Sequence, residues 1–202
     1  METLKTEDIS FGYNSKKTIL NDVNFIMNNN EVLGLFGDSG SGKSTFCKIL
    51  TGFIDSYKGK VLLNDMEIKK GFNPIQLIYQ HPEKIMNPRW TMGNILKESW
   101  DPSEEILDEF GIKREWFNRY PSELSGGELQ RFSILRALNP ETKFIIADEI
   151  TTMLDAVTQV QIWDSLLKYA RKYKIGVLAV SHDIKLLNIL TDRTILLEDL
   201  NK

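Results

Sequence analysis

The stretch "EVLGLFGDSGSGKSTFCKIL", residues 31–50, decides the fold. Residues 32–36 are almost wholly apolar, as expected of a strand that is buried on both faces of a sheet. A glycine-rich loop follows at once, and the residues after it are typical of a helix. This succession of strand, loop and helix predicts an α/β fold built on a parallel sheet.

The loop fits the pattern G-x-x-x-x-G-K-[ST], with Gly37, Gly42, Lys43 and Ser44 at its fixed positions. Backbone N–H groups of such a loop form a nest for an anion, and the next helix directs its positive end at the same point. Lys43 is then expected to reach the β- and γ-phosphates of a nucleotide, and Ser44 to bind Mg²⁺. A Gly/Ser turn that merely contains a lysine is the alternative, and the flanking strand and helix argue against it.

A second apolar run, "FIIADE" at residues 144–149, ends in two carboxylates, Asp148 and Glu149. In phosphate-loop enzymes an acidic residue at such a strand end helps to hold Mg²⁺. A neighbouring carboxylate that the metal does not use can polarise an attacking water. We therefore expect Asp148 to bind the metal and Glu149 to act on the water, although an acidic pair can also simply cap a helix.

Bulk composition narrows the function classes. The chain has 202 residues, a net charge of −3, 42% hydrophobic residues and a single cysteine. Mixed charges without a basic block argue against a nucleic-acid partner. The single cysteine excludes an internal disulfide framework, and the apolar runs are too short to cross a bilayer. We expect a cytosolic protein that reaches the cytoplasmic face of a membrane only through partner subunits.

Short apolar runs alternate with helix-like segments along most of the chain, which predicts a mostly parallel sheet with an N-terminal antiparallel part. Residues 59–68, "GKVLLNDMEI", read as one strand, and residues 156–173 as a long helix. Residues 82–138 differ, since they are richer in Trp, Pro and Glu and show helical periodicity. We therefore predict one domain over residues 1–202, with a core at 1–81 and 139–202 and an inserted helical lobe at 82–138.

Four further motifs follow in a fixed order: "IYQHP" (78–82), "LSGGE" (124–128), "MLD" (153–155) and "SHD" (181–183). Together with the phosphate loop and "FIIADE", they make the chain resemble the ATP-binding subunits of ABC transporters. The resemblance covers nearly the whole chain, and "LSGGE" at this position is much more specific than any other motif. It implies ATP and Mg²⁺ as cofactors and an ATPase activity.

The resemblance also implies a role for each motif residue. His182 would contact the γ-phosphate and Glu149, Gln80 would reach Mg²⁺ or the attacking water, Asp155 would form the D-loop, and Tyr13 would stack on adenine. Each of these residues has an alternative if it is considered alone. His182 could be a structural histidine, Gln80 a loop amide and Tyr13 a core aromatic. The loop that wraps the phosphates would comprise Gly37, Asp38, Ser39, Gly40, Ser41, Gly42, Lys43, Ser44 and Thr45, and the signature Leu124, Ser125, Gly126, Gly127 and Glu128.

Two such subunits, identical or different, would pair head to tail, so that each ATP lies between the phosphate loop of one and the signature of the other. Ser125, Gly126 and Gly127 suit this role because a helix N-terminus with close-approach N–H groups binds anions. Glu128 replaces the commoner Gln, which changes the charge and keeps the hydrogen-bonding reach. None of the departures from the family pattern removes a catalytic group.

Residues 81–100 and 125–139 look like the importer branch for peptides, nickel and metal–chelator complexes. That branch implies two transmembrane permease subunits and, indirectly, an extracellular solute-binding protein. A groove for the permease is expected around residues 80–90. A soluble ABC-type ATPase acting on DNA or ribosomes, an exporter subunit and a dimerisation module without turnover are the alternatives.

Overall fold

A computed structural model describes residues 1–13, 17–69 and 71–201. The strands in chain order are β1 (Thr3–Phe11), β2 (Leu20–Asn28), β3 (Val32–Phe36), β4 (Lys58–Leu63), β5 (Met66–Glu67), β6 (Ile75–Ile78), β7 (Phe144–Asp148), β8 (Gly176–Ser181) and β9 (Arg193–Leu196). The α-helices are α1 (Lys43–Leu50), α2 (Met92–Lys97), α3 (Glu104–Glu109), α4 (Gly126–Ala137), α5 (Ala156–Tyr173), α6 (Ile184–Leu190) and α7 (Leu197–Leu200).

The parallel sheet has the strand order β6-β7-β8-β3-β9. Side chains of successive strand residues point to opposite faces, so each face receives every second residue. Phe144 and Ile146 of β7 join one buried apolar cluster, whereas Ile145 and Ala147 join another. The continuous apolar run of β7 is therefore explained by cores on both sides of the sheet, and the prediction of an α/β fold with a parallel core is confirmed.

The antiparallel sheet has the order β2-β1-β4-β5 and shares the cluster that contains Phe144 and Ile146. The prediction of one strand over residues 59–68 is wrong, because β4 and β5 form a hairpin. Asn64 and Asp65 take positive φ angles of 54° and 60° at its turn. Two such residues fit the tight turn that matches the twist of paired strands, and Asn and Asp tolerate this backbone best after Gly.

Residues 82–138 contain α2, α3, α4 and three short 3₁₀ turns. Their apolar side chains, among them Met92, Trp116 and Phe132, belong to the same cluster as Ile145 and Ala147 of β7. The helices thus share a core with the sheet. The 18-residue helix α5 has the bounds that the sequence predicts, and Asp155 begins it by accepting hydrogen bonds from the N–H groups of Val157 and Thr158.

Candidate active site

Four strands of the parallel sheet end at one edge, and a candidate site residue follows each of them. Gly37 comes directly after β3, Glu149 after β7 and His182 after β8, whereas Gln80 lies two positions beyond β6. Parallel pairing sets Phe36 beside Ser181. Because parallel strands present their carboxyl ends together, residues far apart in sequence meet at this edge, where open α/β sheets bind ligands.

The phosphate loop leads from β3 into α1 through a glycine that no other residue can easily replace. Gly42 has a φ of 107° and starts the helix, and its carbonyl accepts a hydrogen bond from Phe46 N at 2.9 Å. A Cβ atom on Gly42 would lie 2.8 Å from Cγ2 of Ile19. Only glycine therefore combines this backbone with close packing against the residue that precedes β2.

Lys43 lies inside the loop, with only 6% of its surface exposed. Its ammonium group donates to the carbonyl oxygens of Gly37, at 2.7 Å, and Asp38, at 2.9 Å. These neutral carbonyls accept two of the three ammonium N–H bonds, and among the described residues no carboxylate forms a salt bridge with Lys43. A phosphate oxygen would supply the missing negative charge.

Asp148 is buried at the end of β7, and its Oδ1 atom has no hydrogen-bond partner within the described ranges. Burial raises the pKa of this carboxyl group above its ordinary value, while a hydrogen bond with Ser44 acts in the opposite direction. An orphaned carboxylate oxygen beside a hydroxyl suits Mg²⁺, which prefers oxygen ligands. Across residues 1–13, 17–69 and 71–201, no three His, Cys, Asp or Glu side chains form a metal cage. The residues present therefore fit a Mg²⁺ ion that takes its remaining ligands from phosphates and water.

Glu149 adopts a positive φ of 50°, which is strained for a residue with a side chain. Its Oε1 atom lies 2.9 Å from His182 Nδ1, and its Oε2 atom accepts a hydrogen bond from Gln80 Nε2 at 3.2 Å. Since a carboxylate only accepts hydrogen bonds, Nδ1 of His182 must carry the proton. Of the four residues predicted to be catalytic, Glu149, His182, Gln80 and Lys43, the structure thus brings the first into direct contact with the next two.

Tyr13 is 64% exposed, so the alternative of a core aromatic is wrong. Its hydroxyl lies 3.3 Å from Oγ1 of Thr45. The edge-to-face contact with Phe11 has a centroid distance of 4.9 Å. The ring therefore stands at the rim of the phosphate loop with most of its surface available to a ligand.

The signature residues lie at the N-terminus of α4. Ser125 caps this helix: its hydroxyl accepts from Glu128 N at 3.4 Å, and the Glu128 carboxylate accepts from Ser125 N at 2.7 Å. Gly127 is packed closely, since a Cβ there would lie 2.9 Å from Thr158 Cγ2. A cavity of about 500 Å³ opens in front of Ser125, Gly127 and Glu128, and its described lining includes none of residues 37–45. Within one chain, the two candidate phosphate cradles do not share a pocket.

Residues 153–155, the D-loop, lie between the signature and the sheet edge that carries Glu149. Leu154 packs near both Gly126 and Gly127 of the signature. Asp155 receives hydrogen bonds from Val157 N, Thr158 N and the Thr158 hydroxyl. The Thr158 hydroxyl bond, followed by the backbone bonds, lowers the pKa of this carboxyl group. Asp155 therefore fixes the start of α5 next to the signature.

A family model for ABC transporters matches residues 20–152 of the chain. The chain belongs to the ABC transporter family. The nickel import system ATP-binding protein NikE of Staphylococcus aureus strain bovine RF122 / ET3-1 is 32% identical over 97% of this chain and 87% of that protein. The NikE protein of strain N315 is 31% identical with the same coverage.

Solved structures show the same ABC ATPase fold. A dimeric post-hydrolysis structure of the ATP-binding cassette MJ0796 bound to ADP and Pi has a TM-score of 0.79 and 24% identity, over 96% of this chain and 93% of that one. An ATP-binding subunit of an ABC transporter has a TM-score of 0.81 and 23% identity, over 96% and 85%. The predictions of the family, the fold and an ATPase of this type are confirmed. In the described part of the chain, no helix has the length and apolarity needed to span a bilayer.

Two residues of this ABC ATPase lie beside the motifs and were not identified from the sequence. Thr152 binds the side chain of Gln80, and the carboxylate of Glu198 lies 3.2 Å from where a Cβ of Gly37 would be. A hydroxyl three residues after Glu149 is typical of a closed turn, which is the signal that could have found Thr152. Glu198 belongs to α7, and only the pairing of β9 with β3 carries it to the phosphate loop.

Proposed function

We propose that this chain is the ATP-hydrolysing subunit of a membrane importer for nickel, peptides or a metal–chelator complex. It would act as a head-to-tail dimer with a second ATPase subunit. The observation that carries the proposal is the contact of Glu149 with His182 and Gln80 at the sheet edge that also holds the phosphate loop. The relatives named as nickel import ATP-binding proteins support the importer branch.

ATP binding follows from the phosphate loop. Residues 37–45 surround the β- and γ-phosphates with N–H groups, and Lys43 exchanges its two carbonyl partners for phosphate oxygens. Tyr13 stacks on adenine. Ser44, Gln80 and Asp148 hold Mg²⁺, which, when bound, neutralises the charge that develops on the phosphates.

Hydrolysis is assigned to Glu149, which takes a proton from the attacking water as general base. His182 donates from Nδ1 to Oε1 of Glu149 and thereby orients the carboxylate. The remaining ring nitrogen, Nε2, is an acceptor in this tautomer, so its contact with a γ-phosphate oxygen requires a proton on that nitrogen as well. Gln80 orients the water or the metal once its amide has left Glu149.

The signature completes the site of the partner subunit. Leu124, Ser125, Gly126, Gly127 and Glu128 would face the γ-phosphate held by the other chain, and Asp155 would position the interface. Two-fold pairing then yields two equivalent composite sites. Loss of the γ-phosphate removes the contacts that join the subunits, so hydrolysis shifts the dimer toward its open state.

The permease would dock where the sheet core meets the helical lobe that we assign to residues 82–138. A cavity of about 410 Å³ is lined here by Phe53, Tyr79 and Ile85 and by the polar residues Ser133 and Arg136. Ser133 Oγ and Arg136 Nε are buried and, in the described part of the chain, have no hydrogen-bond partner. An apolar rim around unused polar atoms suits an amphipathic segment from a membrane subunit.

The catalytic assignment is tested by Glu149→Gln in the purified chain. We expect ATP turnover to fall by about 10²–10⁴-fold, the range for a lost general base. ATP binding should persist and the dimer should be trapped, as measured by size-exclusion chromatography with ATP and Mg²⁺. Turnover equal to that of the parent protein would show that Glu149 is not the base.

The importer assignment is tested by charge reversal in the docking segment. Lys84→Glu and Arg89→Glu should leave the ATPase activity of the isolated chain unchanged. They should lower transport-coupled ATPase and the uptake of nickel or peptide in cells. Coupling that equals the parent in both variants would exclude residues 80–90 as the docking segment. Purification of the chain with DNA or ribosomes instead of membrane subunits would favour the soluble alternative.

A further inference from the structure

Thr152 lies at the end of the turn that begins with Glu149, and its hydroxyl has two partners. Oγ1 accepts a hydrogen bond from Gln80 Nε2 at 3.0 Å and donates one to the carbonyl oxygen of Glu149 at 3.1 Å. The backbone N–H of Thr152 bonds to the same carbonyl at 3.3 Å. The turn therefore holds the hydroxyl in one orientation and presents its acceptor side to Gln80.

The hydrogen-bonding capacity of Gln80 is limited, because a glutamine amide nitrogen carries only two donor hydrogens. Nε2 uses one on Thr152 Oγ1 and the other on Glu149 Oε2, at 3.2 Å. His182 holds the other oxygen of Glu149 at 2.9 Å. Each oxygen of Glu149 thus accepts a hydrogen bond from a protein side chain, and the Gln80 amide occupies one of the two acceptor positions of Oε2.

We propose that Thr152 is a positioning residue that holds the Gln80 amide on Glu149 and so restrains hydrolysis until Gln80 is withdrawn. The inference rests on the proposed role of Glu149 as the base. When Gln80 leaves both Thr152 and Glu149, the acceptor position of Oε2 that it occupied becomes available to the attacking water. Gln80 is the first residue of the segment 80–90 that we assign to permease docking, so movement of that segment can act on this bond.

Thr152 is exposed, and this makes the bond testable without unfolding the protein. Loss of the hydroxyl leaves no buried polar atom of Thr152 unpaired, and the backbone bond that closes the turn remains. Thr152→Ala removes the hydroxyl. Thr152→Val replaces it with a methyl group of similar size, whereas Thr152→Ser keeps it.

The experiment measures basal ATP turnover by the full chain in the parent protein and in these three variants, with Glu149→Gln in parallel. Thr152→Ala and Thr152→Val should raise kcat by about two- to tenfold, the range for losing one hydrogen bond, and leave the KM for ATP unchanged. Thr152→Ser should match the parent. Combined with Gln80→Ala, the Thr152→Ala change should add nothing, because the two residues act through one bond.

An unchanged or lower kcat in Thr152→Ala would overturn the inference, as would a Thr152→Ser protein that behaves like Thr152→Ala. An additive effect in the double variant would also contradict it. These outcomes leave the proposed function intact as long as Glu149→Gln abolishes turnover. If Glu149→Gln turns over ATP like the parent, it is the proposed function that fails.

Discussion

Two helix N-termini in this ABC ATPase are the phosphate cradles that we propose, and they differ in what surrounds them. α1 is capped by Gly42, and Lys43 in its first turn is buried. The hydroxyl of Ser44 forms a hydrogen bond with the carboxylate of Asp148. α4 is capped by Ser125, and the backbone N–H of Ser125 already donates a hydrogen bond to the carboxylate of Glu128. The first has a buried ammonium group and the carboxylates of Asp148 and Glu149 nearby. The second is a self-capped cradle, which we propose completes a site on another chain.

We expect the largest effect from variants that each disable one of the two cradles. Lys43→Ala and Ser125→Arg should each lower ATP turnover by at least about 10²-fold, because each removes contacts to the transferred phosphate. Mixed in equal amounts, they should recover roughly a quarter of the parent activity if the chain forms homodimers, since random isologous pairing restores one intact site in half of the dimers. Steady-state ATPase assays check this.

Each variant mixed with itself is the control and should stay inactive. Recovery of activity would show that the two cradles act in trans. Absence of recovery would indicate a different ATPase subunit as the partner. A Ser125→Arg chain as active as the parent would remove the signature from the site.

A second prediction concerns Tyr13, an aromatic ring beside the first cradle. Tyr13→Ala should weaken ATP binding by roughly 5- to 100-fold, since stacking of a base on an aromatic ring contributes about 1–3 kcal/mol. Tyr13→Phe keeps the ring and loses only the contact of its hydroxyl with Thr45, so it should bind ATP almost as the parent does. Nucleotide titration measures both. Equal affinities of the Ala and Phe variants would argue against stacking.

A third prediction uses the raised pKa of Asp148. Because burial raises this pKa, the carboxyl group takes up a proton at a higher pH than an ordinary aspartate. Mg²⁺ needs the ionised form and competes with the proton for this carboxyl group, so Mg²⁺-dependent turnover should fall at acid pH, and a higher Mg²⁺ concentration should move this fall to lower pH.

The raised pKa of Asp148 affects protein stability in the opposite direction, because protonation of this group favours the folded state. The folded state favours the neutral carboxyl, so this group makes the protein less stable as the pH rises from the ordinary value of 3.8 through the raised one. Asp148→Asn should therefore keep or raise the Tm at neutral pH while it abolishes Mg²⁺-dependent turnover. A clear loss of Tm in this variant would contradict the pKa argument.

The smallest expected effect lies at the second cradle. Glu128→Gln keeps an oxygen that can cap Ser125 N and removes a negative charge from the first turn of α4. The ATP concentration for half-maximal turnover should fall by about two- to threefold, as expected for one exposed charge at a helix N-terminus. The difference should vanish near 1 M salt, where screening is nearly complete. Glu128→Ala, which also removes the cap, serves as the control. An effect of Glu128→Gln that does not depend on salt would show that the charge of Glu128 is not its cause.

The phosphate loop was predictable from the sequence because its chemistry is local. Gly37, Gly42, Lys43 and Ser44 lie within eight positions, and the loop backbone alone brings them together. The same holds for the capping of α5 by Asp155, where helix geometry fixes the contacts. By contrast, the sequence did not reveal the hairpin at Asn64 and Asp65. A strand-like run of residues has the same pattern whether it forms one long strand or two short paired strands.

The family, the alternation of strands and helices along most of the chain, and the residue types at every motif could all be read from the amino-acid sequence. The tertiary structure alone decided which of them touch. Gln80 and Glu149 are 69 positions apart, and His182 lies 33 positions beyond Glu149, yet Glu149 contacts both of them within 3.2 Å. The physical reason is the parallel order of β6, β7 and β8, which sets three separate strand ends side by side. The positive φ of Glu149 and the turn that returns Thr152 to Gln80 depend on that packing.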